Sequence, residues 1–185
     1  MSTKQMEKFE TIVEIPQKVT VVLKKNMIHV EGPLGKTYKN FKKIPVSIEV
    51  KDKTILVKAQ GTRKRDYAIL HTASSILKNL CEGVVGGYTF KMKIVYAHFP
   101  ITVKTKDDQV LVENFQGERA PRVAKIHGNT KVVSKGDDLI LTGPVLTDVS
   151  QTAAEIELKT KVKGKDHRVF LDGLYIYSKS KGIEK

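Results

Sequence analysis

The sequence predicts an α+β protein made of two tandem repeats, each an antiparallel β-sheet with one α-helix packed on one face. Three observations carry that prediction. The stretch from Val19 to Gly35 recurs from Ile101 to Gly117 at a fixed offset of 82 positions, pairing Thr20 with Thr102, Val21 with Val103, Val30 with Val112, Glu31 with Glu113 and Gly35 with Gly117. Within each copy, short runs of alternating apolar residues are broken by polar turns, the pattern of half-buried strands joined as hairpins. Each copy then switches from a period of two to the spacing of an amphipathic helix.

The elements follow in order. Lys24-Lys25-Asn26 and its counterpart Lys106-Asp107-Asp108 each separate two apolar runs, so a hairpin is expected at both places. In the first copy Gly32-Pro33-Leu34-Gly35 supplies a further turn, since proline pre-sets φ at about −65° and glycine accepts the closing position. A second hairpin follows each first one: Ile48 to Val57 turns at Asp52-Lys53, and Val132 to Leu141 turns at Gly136-Asp137. Ile69, Ala73, Ile76 and Leu80 then share one helical face, widened by Leu70 and Leu77. Arg63, Lys64, Arg65 and Lys78 take the other face, and Gly83 is expected to end the helix.

The second copy has a weaker stripe of Val149, Ala153 and Ile156, with Thr147 or Ser150 as candidate N-caps. Tyr88, Phe90, Met92, Ile94 and Tyr96 alternate strictly with their neighbours. They are read as a strand closing the first half and pairing with Phe170 to Tyr177. The expected division is an N-terminal repeat over 1–97 and a C-terminal repeat over 98–185, with a linker around Ala97–Pro100.

Charge narrows the function. The chain carries 33 Lys and Arg against 20 Asp and Glu, a formal +13, which points to a polyanionic partner. Aromatic residues make up 6% of the chain and tryptophan is absent, a low figure for a protein that grips single strands by stacking bases on ring faces. Duplex binding through phosphates is favoured. No apolar stretch reaches the roughly 18 residues of a spanning helix. Met1-Ser2-Thr3-Lys4 offers neither a lipidation signal nor a secretory leader, so an intracellular protein without a membrane partner is expected. The single Cys81 excludes an intrachain disulfide and reads as a small buried hydrophobe.

Catalytic and cofactor motifs fail on their context. Gly35-Lys36-Thr37 resembles the end of a phosphate-cradling loop, but that loop needs a glycine five positions earlier, where Val30 stands, and a helix directly afterwards. His29, His71, His98, His127 and His167 are scattered without metal-ligand spacing, so no metal or other cofactor is expected. No nucleophile elbow is present, and Asp66, Asp166 and Asp172 lack partners for acid–base work. The chain reads as a binding protein without a small-molecule substrate. A free-standing double-stranded RNA chaperone or processing factor and a small hydrolase with a spatially assembled site remain as alternatives.

Two basic clusters are the candidate contacts. One is Arg119, Arg122 and Lys125; the other is Lys159, Lys161, Lys163, Lys165, His167 and Arg168. The four lysines recur every second residue, and Gly164 marks extended chain, so the row is expected to point one way and track a phosphate strand. Side chains cannot enter the deep, narrow major groove of A-form RNA, so a basic protein poor in rings reads it by phosphates, 2′-hydroxyls and shape.

Three segments resemble one known family. They are Thr62-Arg63-Lys64-Arg65, the run Lys91-Met92-Lys93-Ile94-Val95-Tyr96-Ala97-His98-Phe99-Pro100-Ile101, and the run from Gly164 to Tyr175. Together they are similar to the universal large-subunit ribosomal protein six, numbered nine in its eukaryotic form, and the likeness extends from Ile15 to Tyr177. The Tyr-Ala-His-Phe-Pro string resembles the eukaryotic version. The resemblance implies paired α+β domains near the factor-binding side of the large subunit. The C-terminal domain would be docked on a ribosomal RNA helix near the sarcin–ricin loop, beside neighbouring ribosomal proteins. It implies work on cytoplasmic ribosomes after nucleolar assembly, and no catalytic residue. Carried onto this chain, ribosomal RNA contacts are expected at Lys163, Lys165, His167 and Arg168 and their neighbour Lys161, then at Arg119 and Arg122, with Lys125 beside them. The Ala120-Pro121 step departs from the family's pattern and leaves the orientation of Arg122 open.

Overall fold

The structure, a computed structural model, describes residues 9–166 and 168–183. The chain forms two compact units, Met1–Gly86 and Gly87–Lys185. In the first, β1 (Glu10–Glu14), β5 (Val46–Lys51) and β6 (Thr54–Ala59) make an antiparallel sheet in the order β1-β6-β5. A second sheet holds β2 (Thr20–Lys24), β3 (Met27–Gly32) and β4 (Gly35–Asn40) in sequence order. Helix α1 (Lys64–Gly86) packs against strands of both sheets.

Its buried line is Leu70, Ala73, Leu77, Leu80, Cys81 and Val84. Those residues close a core with Ile28, Val30, Ile55 and Val57, while Ile69 and Ile76 sit half-buried at the flanks. Cys81 packs there as a hydrophobe, and burial first, the neighbouring Glu82 charge second, push its thiol up to about 11. A thiol held protonated in that way is unreactive at neutral pH.

The second unit repeats the plan. The hairpin strands β8 (Thr102–Lys106) and β9 (Gln109–Glu113) pair with β10 (Arg122–Lys125) in the order β10-β9-β8. A four-stranded sheet holds β11 (Lys131–Lys135), β12 (Asp138–Gly143), β7 (Tyr88–Val95) and β13 (Gly173–Lys181) in the order β11-β12-β7-β13. Helix α2 (Leu146–Lys159) buries Val149, Ala153 and Ile156 against Phe90, Met92, Leu139, Leu141 and Leu174. The α+β class and its duplication therefore hold. Each expected hairpin closes through a two-residue turn, and in three of the four a residue takes the left-handed region: Lys25, Asp107 and Gly136.

Several expectations are corrected. Tyr88–Val95 opens the second unit and does not close the first: β7 pairs with β12 as β1 pairs with β6, so it occupies the position that β1 already fills in the first unit. The division accordingly falls at Gly86–Gly87, ahead of the stretch Ala97–Pro100. The partner of β7 is Gly173–Lys181, shifted from Phe170 to Tyr177, with an irregularity between Ile176 and Ser178. Gly83 lies buried inside α1, which continues to Gly86 before Gly87 turns left-handed. An interior glycine costs roughly 1 kcal/mol, less than the roughly 1.5–3 kcal/mol from burying a valine, and Val84 is fully buried one residue on. Finally, α2 starts at Leu146 behind Val145 with no side-chain cap, so Thr147 and Ser150 are helical and Asp148 supplies the first-turn carboxylate.

One close approach ties α1 to its sheet. A Cβ on Gly32 would lie 2.7 Å from Val84 Cγ2 and 2.9 Å from the Val84 carbonyl oxygen, and Leu34 N donates to that same oxygen at 3.0 Å. Leu77→Ala is expected to destabilise the protein by about 2–5 kcal/mol, because Leu77 is fully buried. Ile76→Ala, on the half-buried flank, should cost less, and urea unfolding of both variants measures the difference.

A candidate nucleic-acid interface in the second unit

The chain between α2 and β13 carries most of the expected contacts, and three internal ties hold it. Thr160 Oγ1 donates to Ile156 O at 3.0 Å and accepts from Leu174 N at 3.2 Å. Val162 is buried in the core between Lys161 and Lys163, so those two lysines project outward on either side of an apolar plug. Asp172, also buried, accepts from Ala97 N at 3.0 Å and secures the far end. Gly164, at φ 71°, turns the chain between the ties.

Arg122 joins this segment to β10. Its Nη1 donates to Lys159 O at 2.8 Å and Lys161 O at 3.4 Å, satisfying carbonyls that the end of α2 leaves without a helical partner. Nε and Nη2 grip Glu118 at 2.8 and 2.6 Å, and the guanidinium lies 4.0 Å from the centre of the Phe115 ring. The orientation left open by Ala120-Pro121 is thus settled: Arg122 is turned toward the protein and positions the loop. Arg119, next to Glu118 in sequence, is exposed.

The remaining expected residues divide. Lys159 ends α2, so the four-lysine row is not one extended strand. Lys165 Nζ lies 4.6 Å from the Phe170 ring centre, a cation–π contact past the Gly164 turn. Arg168 is exposed and folds back on Asp166, whose Oδ1 also accepts Arg168 N at 2.9 Å, while Arg168 Nη2 meets Oδ2 at 2.9 Å. Lys125 is exposed on β10, three positions from Arg122 and therefore on the opposite side of the strand. His167 lies outside the described residues. Among the described residues, Arg119, Lys161 and Lys163 have no ion-pair partner, which leaves their charge available to a polyanion.

Sequence reasoning missed two features. One is Glu155 on α2, which accepts Lys125 N at 3.2 Å and meets His127 Nε2 at 2.8 Å, tying the other end of β10 to the helix. The other is the exposed apolar run Val169, Phe170 and Leu171 within the basic loop, legible as three hydrophobic residues in a segment with no helical or strand partner. Among the described residues no group of three or more His, Cys, Asp or Glu could hold a metal ion, and no helix is long and apolar enough to cross a membrane.

Comparison with known proteins bears on this geometry. Residues 99–173, from the start of the second unit's hairpins through the basic loop, match the model of the family described as Ribosomal protein L6. The "Large ribosomal subunit protein uL6" of Methanobrevibacter smithii is 42% identical over 167 residues, 90% of this chain and 94% of the relative. The chain belongs to the ribosomal protein L6 (uL6) family. The uL6 proteins of Methanosarcina mazei and Aeropyrum pernix are 44% and 40% identical, covering 91% and 90% of this chain and 96% and 92% of their own. All three relatives are archaeal. Membership in uL6 is thus carried by nearly the whole chain, both units included.

The Arg122 clamp has a pH signature. Its hydrogen bonds hold the Glu118 carboxyl below the ordinary value of 4.5, and the hydrogen bond from His127 does the same for Glu155. A lowered folded-state pKa adds stability that is present above the ordinary value and is lost as pH falls through the lowered one. Glu118→Gln is therefore expected to be less stable than the wild type at neutral pH and to converge with it as pH falls from the ordinary carboxyl value of 4.5 through the lowered one. Thermal unfolding followed across that range checks this; parallel curves would refute it.

Proposed function

We propose that this chain is a structural constituent of the large ribosomal subunit, held against double-helical ribosomal RNA by the anchored basic loop of its second unit. Its uL6 relatives, named as large-subunit proteins, support the assembly. The observation that carries the contact is the loop itself. Lys161 and Lys163 flank buried Val162, Arg122 clamps the carbonyls behind them, and Lys165 and Arg168 follow in the same loop.

A cation held by a pre-ordered backbone loses less conformational entropy on meeting a phosphate than one on a mobile tail. Rigid charge also suits duplex RNA, where phosphate spacing and shape are read in place of base edges. Exposed Val169 and Leu171 on the same loop can cover ribose or a neighbouring ribosomal protein. Placement near the factor-binding region and sarcin–ricin loop, work on cytoplasmic ribosomes and a nucleolar assembly stage complete the proposal. Lys125 and His167 stay in the proposed contact set on their charge and sequence position, and Arg122 is the positioning residue.

Two measurements test it. The protein should co-sediment with large-subunit particles through a high-salt wash; recovery only in light, particle-free fractions would count against the assembly. Replacing Lys163, Lys165 and Arg168 together by Ala should weaken binding to a ribosomal RNA duplex and lower the slope of log K against log salt by about one for each phosphate no longer neutralised. Filter binding over a salt series reads that slope, and an unchanged value would exclude this contact set.

A further inference from the structure

The larger share of the excess charge lies outside the unit just described. Residues 1–86 hold 16 Lys and Arg against 8 Asp and Glu, whereas residues 87–185 hold 17 against 12. Part of that excess gathers at one end of the β2–β3–β4 sheet. The β2–β3 turn brings Lys24 and Lys25, and Phe41 N donates to Asn26 O at 2.8 Å, which pins the end of β4 and the following Lys42 and Lys43 beside that turn. Among the described residues none of these four lysines is in an ion pair.

Next to this corner the solvent face of the sheet departs from the polar pattern expected of an exposed face. Strand register places Val22, His29 and Tyr38 side by side across all three strands. Tyr38 is 66% exposed and Val22 44%, and the His29 and Tyr38 rings lie 6.1 Å apart at a 35° tilt. Together with Thr20, Lys24 and Lys36 they line an open depression of about 270 Å³.

The duplicated unit serves as an internal control. Its equivalent row is Lys104, Leu111 and Val123, without a ring, and its equivalent turn is the acidic pair Asp107-Asp108. Lys106 keeps the place of Lys24, but the positions of Lys25 and Asn26 are acidic, so the same scaffold folds without an aromatic row and without the second turn lysine.

We propose that the solvent face of the β2–β3–β4 sheet binds an unpaired stretch of RNA, one base stacking on Tyr38 beside His29 and the adjoining phosphates meeting Lys24, Lys25, Lys42 and Lys43. An exposed ring on an open sheet accepts the face of any base, and a neighbouring lysine cluster follows the backbone without reading sequence. Charge decides between RNA and a protein partner, since four unpaired lysines beside the ring row fit a polyanion. The low aromatic content of the chain is consistent with a local contact of one or two bases in place of an extended grip.

The test uses the full chain and two labelled probes in fluorescence anisotropy: an oligoadenylate of about six nucleotides, within the site sizes of sheet-type binders, and a blunt RNA duplex. Tyr38→Ala should weaken oligoadenylate binding roughly five- to hundredfold, the range for removing one base stack, and leave duplex binding unchanged. Tyr38→Phe should bind as the wild type does. Replacing Lys24, Lys25, Lys42 and Lys43 by Ala should flatten the salt dependence for the oligoadenylate. The Lys163, Lys165 and Arg168 variant should show the reverse selectivity, so failure here and failure of the duplex contact are separable. Equal oligoadenylate affinity for wild type and Tyr38→Ala, or no binding by the wild type, would overturn the proposal and leave this face to a protein partner. Unchanged melting of the variants, expected because Tyr38 and the four lysines lie outside the buried core, guards against misreading a folding defect.

Discussion

Each unit of this protein rests on burying one helical stripe against antiparallel hairpins. Leu70, Ala73, Leu77 and Val84 do this in the first unit and Val149, Ala153 and Ile156 in the second. The burial of those side chains supplies most of the favourable free energy available to domains of this size. It also uses up one face of every sheet. What remains for a partner is the outer sheet faces and the connections between elements, and the charge of the chain is found there.

Placement of that charge depends on groups that are not themselves charged contacts. Val162 and Asp172 fasten the basic loop at both ends, and Arg122 spends its guanidinium on Glu118, Phe115 and the last carbonyls of α2. Net charge alone would rank Arg122 with Lys163. Geometry separates them: one orders the backbone, and the other stays exposed with no ion-pair partner among the described residues. The order of the basic loop is thus set as much by buried side chains as by exposed cations.

The duplication shows how one scaffold can carry two different surfaces. The units share hairpins, turn positions and a covering helix, yet the second adds β13 and the anchored loop before it, while the first carries the Val22–His29–Tyr38 row and its lysine corner. Strand register is common to both copies, so the side chains at equivalent positions are directly comparable. The differences lie where packing leaves the residue type unconstrained.

Local pattern was enough to read the α+β class, the hairpins and both helices, because alternation, turn chemistry and helical spacing are properties of neighbouring residues. The basic loop was legible as composition, through Lys161, Lys163 and Lys165. Tertiary structure alone decided which unit receives β7, since a strand's partner is chosen by an open sheet edge that no local pattern specifies. It decided that α1 runs past Gly83, because burial of Val84 over Gly32 outweighs the propensity of a single glycine. It also turned Arg122 inward, because Glu118, Phe115 and the α2 terminus converge only in the folded chain.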